Sequence, residues 1–223
     1  MNPVRRRRSR WQAIDPFSCY SHLAGVALSI VALVMLLGVS PDDPWRVVGF
    51  SIYGVSLILL YLASTIYHWL LLPIAHRKWL NRIDHVAIFL LIAGTYTPIC
   101  LVTLRGGWGW SLFGVVWGIA VAGTIVKLGF PTLPRSISAA IYVAMGWVVL
   151  VAIVPLTRLF PVPALLWLAT GGLLYTTGAV IYATRRPNPF PRVFGFHEIF
   201  HLFVLGGSAA HFIFMLRYVA PAT

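Results

Sequence analysis

The 223 residues are 59% apolar and only 10% charged, with a net charge of +12 from 17 Lys and Arg against 5 Asp and Glu. A soluble domain carries about 25% charged residues because its surface must face water, so a water-soluble globule is excluded and lipid is the missing solvent. The basic residues sit in short gaps between apolar runs rather than in one patch, which argues against nucleic acid and reads as a set of topology signals.

In chain order, residues 1–19 form a basic segment with Arg5 to Arg8 and Arg10, expected to lie against anionic head groups in the cytoplasm. Apolar runs follow over 20–39, 47–72, 84–104, 108–127, 136–156, 162–184 and 196–217, with a short tail over 218–223. Most gaps carry Pro or Gly, which end helices by removing a donor or freeing the backbone. Each run is long enough to cross about 30 Å of hydrocarbon as a helix, whereas a closed barrel would need short alternating strands. The fold predicted is an all-α integral membrane protein, a seven-transmembrane-helix bundle. The first run, although preceded by basic residues, is expected to be retained, because Pro41 and the lack of an A-x-A site argue against signal cleavage.

Orientation follows from the basic residues. With the amino terminus inside, the inner segments hold 13 Lys and Arg and the outer segments 4. Positive charge inside therefore predicts a cytoplasmic amino terminus and an outer carboxyl terminus; residence in the cell's inner (plasma) membrane is a separate expectation. Cys19 and Cys100 then fall near opposite faces, so they are not expected to pair.

Ionisable groups within a membrane are costly, and each needs a reason. Ser64 and His68 lie four apart near the end of the second helix, Asp84 and His85 open the third run, and His197, Glu198 and His201 open the seventh. The topology brings these ends to the inner leaflet. His197 and His201, one turn apart, share a helix face, as do Ser64 and His68. Three imidazoles, a carboxylate and a hydroxyl at one depth suit a zinc ion with three protein ligands and a fourth position for water. We assign His68, His197 and His201 as ligands, Asp84 as the carboxylate that holds or deprotonates the water, and Ser64 as a hydrogen-bond donor to an oxyanion or carbonyl. A bland alternative makes Asp84 an N-cap of the third helix. His85 is expected to be an interfacial or capping residue, His76 part of a basic loop, His211 an outer packing residue, and His22 a candidate neighbour of the ligands. His197 to His201 also reads H-E-x-x-H, the zinc-protease signature in which Glu198 would be the base; that reading leaves His68 and Ser64 unexplained.

The joined motifs Ser64-Thr65-Ile66-Tyr67-His68, Ile83-Asp84-His85 and Phe196-His197-Glu198-Ile199-Phe200-His201 resemble the hemolysin III family. That family is the bacterial branch of the progestin and adipoQ receptor group. Gly94 to Pro98, Ser21-His22-Leu23 and Ala210-His211-Phe212 carry the same resemblance. It implies a seven-helix bundle with zinc near the inner face, held by residues matching His68, His197 and His201, with the match to Asp84 beside a zinc-bound water. The wider superfamily includes alkaline ceramidases, which implies hydrolysis of a lipid amide. The family's name and bacterial members imply pore formation and membrane lipid homeostasis. The absence of a large segment ahead of the first run and the presence of Glu198 depart from the receptor relatives, the former weakening a receptor reading.

The function expected is therefore a zinc-dependent hydrolase of a lipid amide or ester, with membrane lipids as partners. A lipid or metabolite sensor with structural zinc is the second expectation. A pore or transporter, needing a polar path through both leaflets, is the third.

Overall fold

A computed structural model describes residues 13–40, 42–130, 133–190 and 193–221. Among these, seven helices are long and apolar enough to cross a membrane: α1 (Pro16–Gly38), α2 (Pro44–Trp69), α3 (Ile74–Thr103), α4 (Gly107–Gly129), α5 (Arg135–Leu159), α6 (Val162–Thr184) and α7 (Phe196–Val219). The chain is an all-helical, multi-pass membrane protein. In hydrocarbon every backbone donor and acceptor must be satisfied within the segment, which leaves the helix as the solution for continuous apolar runs. Proline, which needs no hydrogen-bond acceptor in the first turn, stands at the start of α1 and α2. Asp43 caps α2, its Oδ1 accepting from the Trp45 amide at 2.9 Å.

The third helix departs from the sequence reading, which began that run at residue 84. It starts ten residues earlier, at Ile74, after the short break Leu70 to Pro73. Ile74 to Ile83 is not an apolar run but an amphipathic one, with Ile74 and Trp79 exposed and the Arg82 guanidinium 4.7 Å over the Trp79 ring. Mixed charge made it read as a loop; its helical spacing of apolar residues makes it an interfacial helix start. His76 therefore lies in a helix. Asp84 does not open α3, and the capping position belongs to Pro73.

Two helices leave regular geometry where the sequence requires it. Pro98 lies within α3, and the last turn, Ile99–Thr103, widens into a π-helix. In α5 the segment Val148–Ala152 tightens into a 3-10 turn. The Tyr96 hydroxyl serves that break, donating to the Gly146 carbonyl at 2.6 Å and accepting from the Val149 amide at 2.8 Å.

Helices α2, α3 and α7 carry most of the buried surface, with α1 against α2 and α7, and α6 against α7. The core between them includes Phe50, Tyr53, Tyr61, Ile99, Phe214 and Met215, all essentially sealed. Close approach rests on small residues. A Cβ at Gly25 of α1 would lie 2.6 Å from the Tyr61 ring, and one at Gly207 of α7 would lie 2.7 Å from Tyr175. At that level the Tyr61 hydroxyl donates to Ser208 Oγ at 2.7 Å, and the Tyr175 hydroxyl lies 2.8 Å from the same oxygen, so one serine joins α2, α6 and α7. Cys19 and Cys100 are both buried free thiols.

Candidate metal centre

The antiparallel path of the chain brings the carboxyl end of α2, the early turns of α3 and the amino end of α7 to one end of the bundle. There His68, His197 and His201 converge. His197 Nε2 stands 3.1 Å from His68 Nε2 and 3.2 Å from His201 Nε2. One ligand atom from each of the three lies within 4.8 Å of the others. Three imidazole nitrogens on one tetrahedral zinc at 2.0–2.1 Å would stand about 3.3–3.4 Å apart, so the spacing and the all-nitrogen donor set fit such an ion. His68 and His201 are buried, and His197 is half-buried at the edge of a cavity.

That cavity, about 220 Å³, is lined on one side by His68 and His197 and on the other by Asp84, His85 and Tyr142. Asp84 faces it from the third turn of α3, and the Ser64 hydroxyl hydrogen-bonds the Asp84 carboxylate. Thus Ser64 and Asp84 form a pair beside the three histidines. His85 is not a cap. Its Nδ1 is 2.7 Å from the Asn81 carbonyl and its Nε2 is 3.2 Å from the Tyr182 hydroxyl, and it stands in the cavity wall.

The remaining candidates separate cleanly. His22 stacks on His201 with ring centroids 3.8 Å apart, which makes it the packing partner of that ring. His211 lies deeper in the bundle beside Tyr175, at 5.4 Å between rings, away from the cluster. Glu198 is occupied in helix capping: its Oε2 accepts from the Gly195 amide at 2.7 Å, closing the first turn of α7. The H-E-x-x-H resemblance to a protease therefore gives Glu198 a structural task, not that of a base.

The sequence reading missed Asp15. This residue precedes α1, and its Oδ2 lies 3.0 Å from His68 Nδ1, so it fixes the ring nitrogen that faces away from the cluster. Metal-binding histidines commonly donate that nitrogen to a carboxylate, which sets tautomer and orientation. Arg77 approaches the same oxygen at 3.8 Å. The hydrogen bond with His68, aided by the Arg77 charge, holds the Asp15 carboxyl below the usual carboxylate range despite its partial burial. The amides of Ile14 and Asp15 also donate to the His68 carbonyl at 3.0 and 3.3 Å, so this short segment seals the end of α2. A signal for Asp15 was available. The chain has five acidic residues, and two of them, Asp42 and Asp43, belong to the opposite end of the bundle.

The chain matches the family described as Haemolysin-III related over residues 12–212. It belongs to that family. It is 42% identical over 203 residues to Hemolysin-3 of Bacillus cereus, covering 90% of each chain. It is 41% identical to the Hemolysin-3 homolog of Bacillus subtilis, covering 89% of this chain and 91% of that one. A more distant similarity, 27%, links it to the human Monocyte to macrophage differentiation factor over 91% of this chain and 83% of that one. The bacterial members of this haemolysin-III-related family point to the plasma membrane as the site of residence.

Proposed function

We propose that this haemolysin-III-related protein is a zinc-dependent hydrolase of an amide or ester bond in a membrane lipid, with its metal end at the cytoplasmic face. The observation that carries the reading is the convergence of three imidazole nitrogens beside a carboxylate–hydroxyl pair, at the wall of one cavity. Imidazole suits zinc, and three protein ligands leave a position open for chemistry. Bound there, zinc would polarise the substrate carbonyl and lower the pKa of a water toward neutrality.

The chain's own residues supply the rest. Asp84 takes a proton from the attacking water as its oxygen bonds to the carbonyl carbon. It returns that proton to the departing nitrogen or oxygen when the acyl bond breaks. Ser64 holds the Asp84 carboxylate in place. Asp15 holds His68, and His22 packs the His201 ring. The 13 to 4 distribution of Lys and Arg supports placing this end of the bundle in the cytoplasm. Membrane lipids are then both solvent and substrate.

Metal content per chain, measured by mass spectrometry after purification without chelator, tests the first half. About one zinc in the wild type, lost in His68→Ala and His197→Ala with helicity retained, is the expected result. Release of fatty acid from a panel of lipid amides and esters tests the second half. Failure to bind metal removes the whole reading. Metal binding with no hydrolysis across the panel removes catalysis and leaves a metal that ties α2 to α7.

A further inference from the structure

A second cavity, about 250 Å³, lies between α3, α4 and α5, on the far side of Tyr142 from the metal centre. Phe89, Ile119, Val126 and Ile141 make its walls, so its interior is hydrocarbon-like and offers water almost nothing to bond. Besides Tyr142, its lining includes two buried polar side chains: Lys127, in the last turn of α4, and Ser138, in the first turn of α5. The Ser138 Oγ has no hydrogen-bond partner. No carboxylate stands within ion-pair distance of Lys127 among the described residues. The Asp84 charge acts on Lys127 from beyond that distance, but a buried hydroxyl without a partner is costly unless something satisfies it.

Helix polarity fixes which end of the cavity these groups occupy. The carboxyl end of α4 and the amino end of α5 lie at the same end of the bundle as the metal centre, because α3 starts there and the chain alternates direction. Lys127 and Ser138 therefore stand toward the head-group region, and Ile119 and Ile141 lie deeper. The carbonyls that end α4 favour the lysine charge in part, but they leave the serine hydroxyl unsatisfied. Basic pockets between membrane helices are suited to anionic lipid head groups.

We propose that this gap is a binding site for one anionic glycerophospholipid, with one acyl chain in the apolar cavity and its phosphate on Lys127 Nζ and Ser138 Oγ. Two features select this occupant. The walls accept hydrocarbon and reject water, and the paired cation and hydroxyl match a phosphate that carries one charge and several acceptor oxygens. The bound lipid bridges α4 and α5, which touch each other little. It also packs against Tyr142, whose hydroxyl donates to the His85 carbonyl at 3.1 Å and whose ring lines both cavities. Lipid occupancy thereby reaches the wall of the metal centre. The site does not depend on the hydrolytic reading.

Native mass spectrometry of the full chain, with phosphatidylglycerol, phosphatidylcholine or palmitate added in turn, tests this. The expected result is one retained phosphatidylglycerol per chain and weak retention of phosphatidylcholine. Lys127→Gln weakens that adduct at least about tenfold, the loss of one charge-assisted hydrogen bond. Ala122→Phe, on a lining residue exposed in the gap, displaces the lipid by filling the space. Lys78→Gln, at a cation outside the cavity, leaves binding unchanged, which controls for general charge. Equal retention of both phospholipids, or an adduct indifferent to Lys127→Gln and Ala122→Phe alike, overturns the proposal. Preferential retention of palmitate also overturns it, reassigning the gap to a free fatty acid.

Discussion

Removing the Asp15 carboxylate isolates the contribution of a residue that touches no metal. In Asp15→Ala, His68 Nδ1 loses its 3.0 Å partner, while the Ile14 and Asp15 amides still reach the His68 carbonyl, so the segment stays docked. Loss of such an outer carboxylate typically costs about 10–100-fold in metal affinity. Asp15 is 39% exposed, and its Arg77 contact is long, so water screens part of the effect. The expected loss is at the lower end, about tenfold, or about 1.4 kcal/mol. Asp15→Asn keeps an acceptor oxygen for a neutral imidazole and gives up only the charge, so it falls between wild type and Asp15→Ala. Competition against a chelator of known zinc affinity measures both. The sign of the pH dependence also follows. A depressed carboxyl contributes above its unfolded value, about 3.9, and the contribution is lost only as pH falls through the lower folded value. The penalty of Asp15→Ala therefore stays constant as the pH is varied from about 6 to 8. Zinc affinity in Asp15→Ala within twofold of wild type would refute the assignment.

Asp84→Asn should retain metal and lose at least about 100-fold in lipid hydrolysis, since the proton carrier is gone; metal content and fatty-acid release on the same sample separate the two. Glu198→Gln should hydrolyse lipid within about twofold of wild type, because an amide oxygen still accepts from Gly195; a 100-fold loss would revive the protease-type base. Gly25→Leu should destabilise the bundle by about 1–3 kcal/mol, because its first side-chain carbon meets the Tyr61 ring at 2.6 Å. Unfolding in a denaturing detergent titration reads that shift.

The parts of the fold legible in the sequence are those on which lipid imposes a strict rule. Seven continuous apolar runs have one structural solution, and His197 and His201 announce a shared face through their spacing alone. His68 joined them because helix direction alternates with each crossing. Where water and lipid meet, the rule weakens. The start of α3 mixes Ile74 and Trp79 with Arg77, Lys78 and Arg82, and a hydropathy reading cannot tell such an interfacial helix from a loop. Asp15 escaped for a related reason: it stands outside the runs, and its bond to His68 crosses 53 positions. Glu198 was legible twice, as part of a five-residue zinc motif and as the third residue of a helix. Only the 2.7 Å contact with Gly195 decides between them. The cavity wall formed by Tyr142 and Tyr182 depends on how α5 packs against α6 and how α6 rotates, which the nearly uniform apolar surface of α6 does not encode.

The docking of Ala13 to Asp15 on the end of α2 has a practical consequence for anyone producing the protein. A purification tag or fluorescent fusion put in place of residues 1–12, directly ahead of Ala13, would pull on the strap that steadies His68. Preparations tagged there should arrive with less metal than those tagged after α7. Tag position is thus a variable to match before any two laboratories compare zinc stoichiometry.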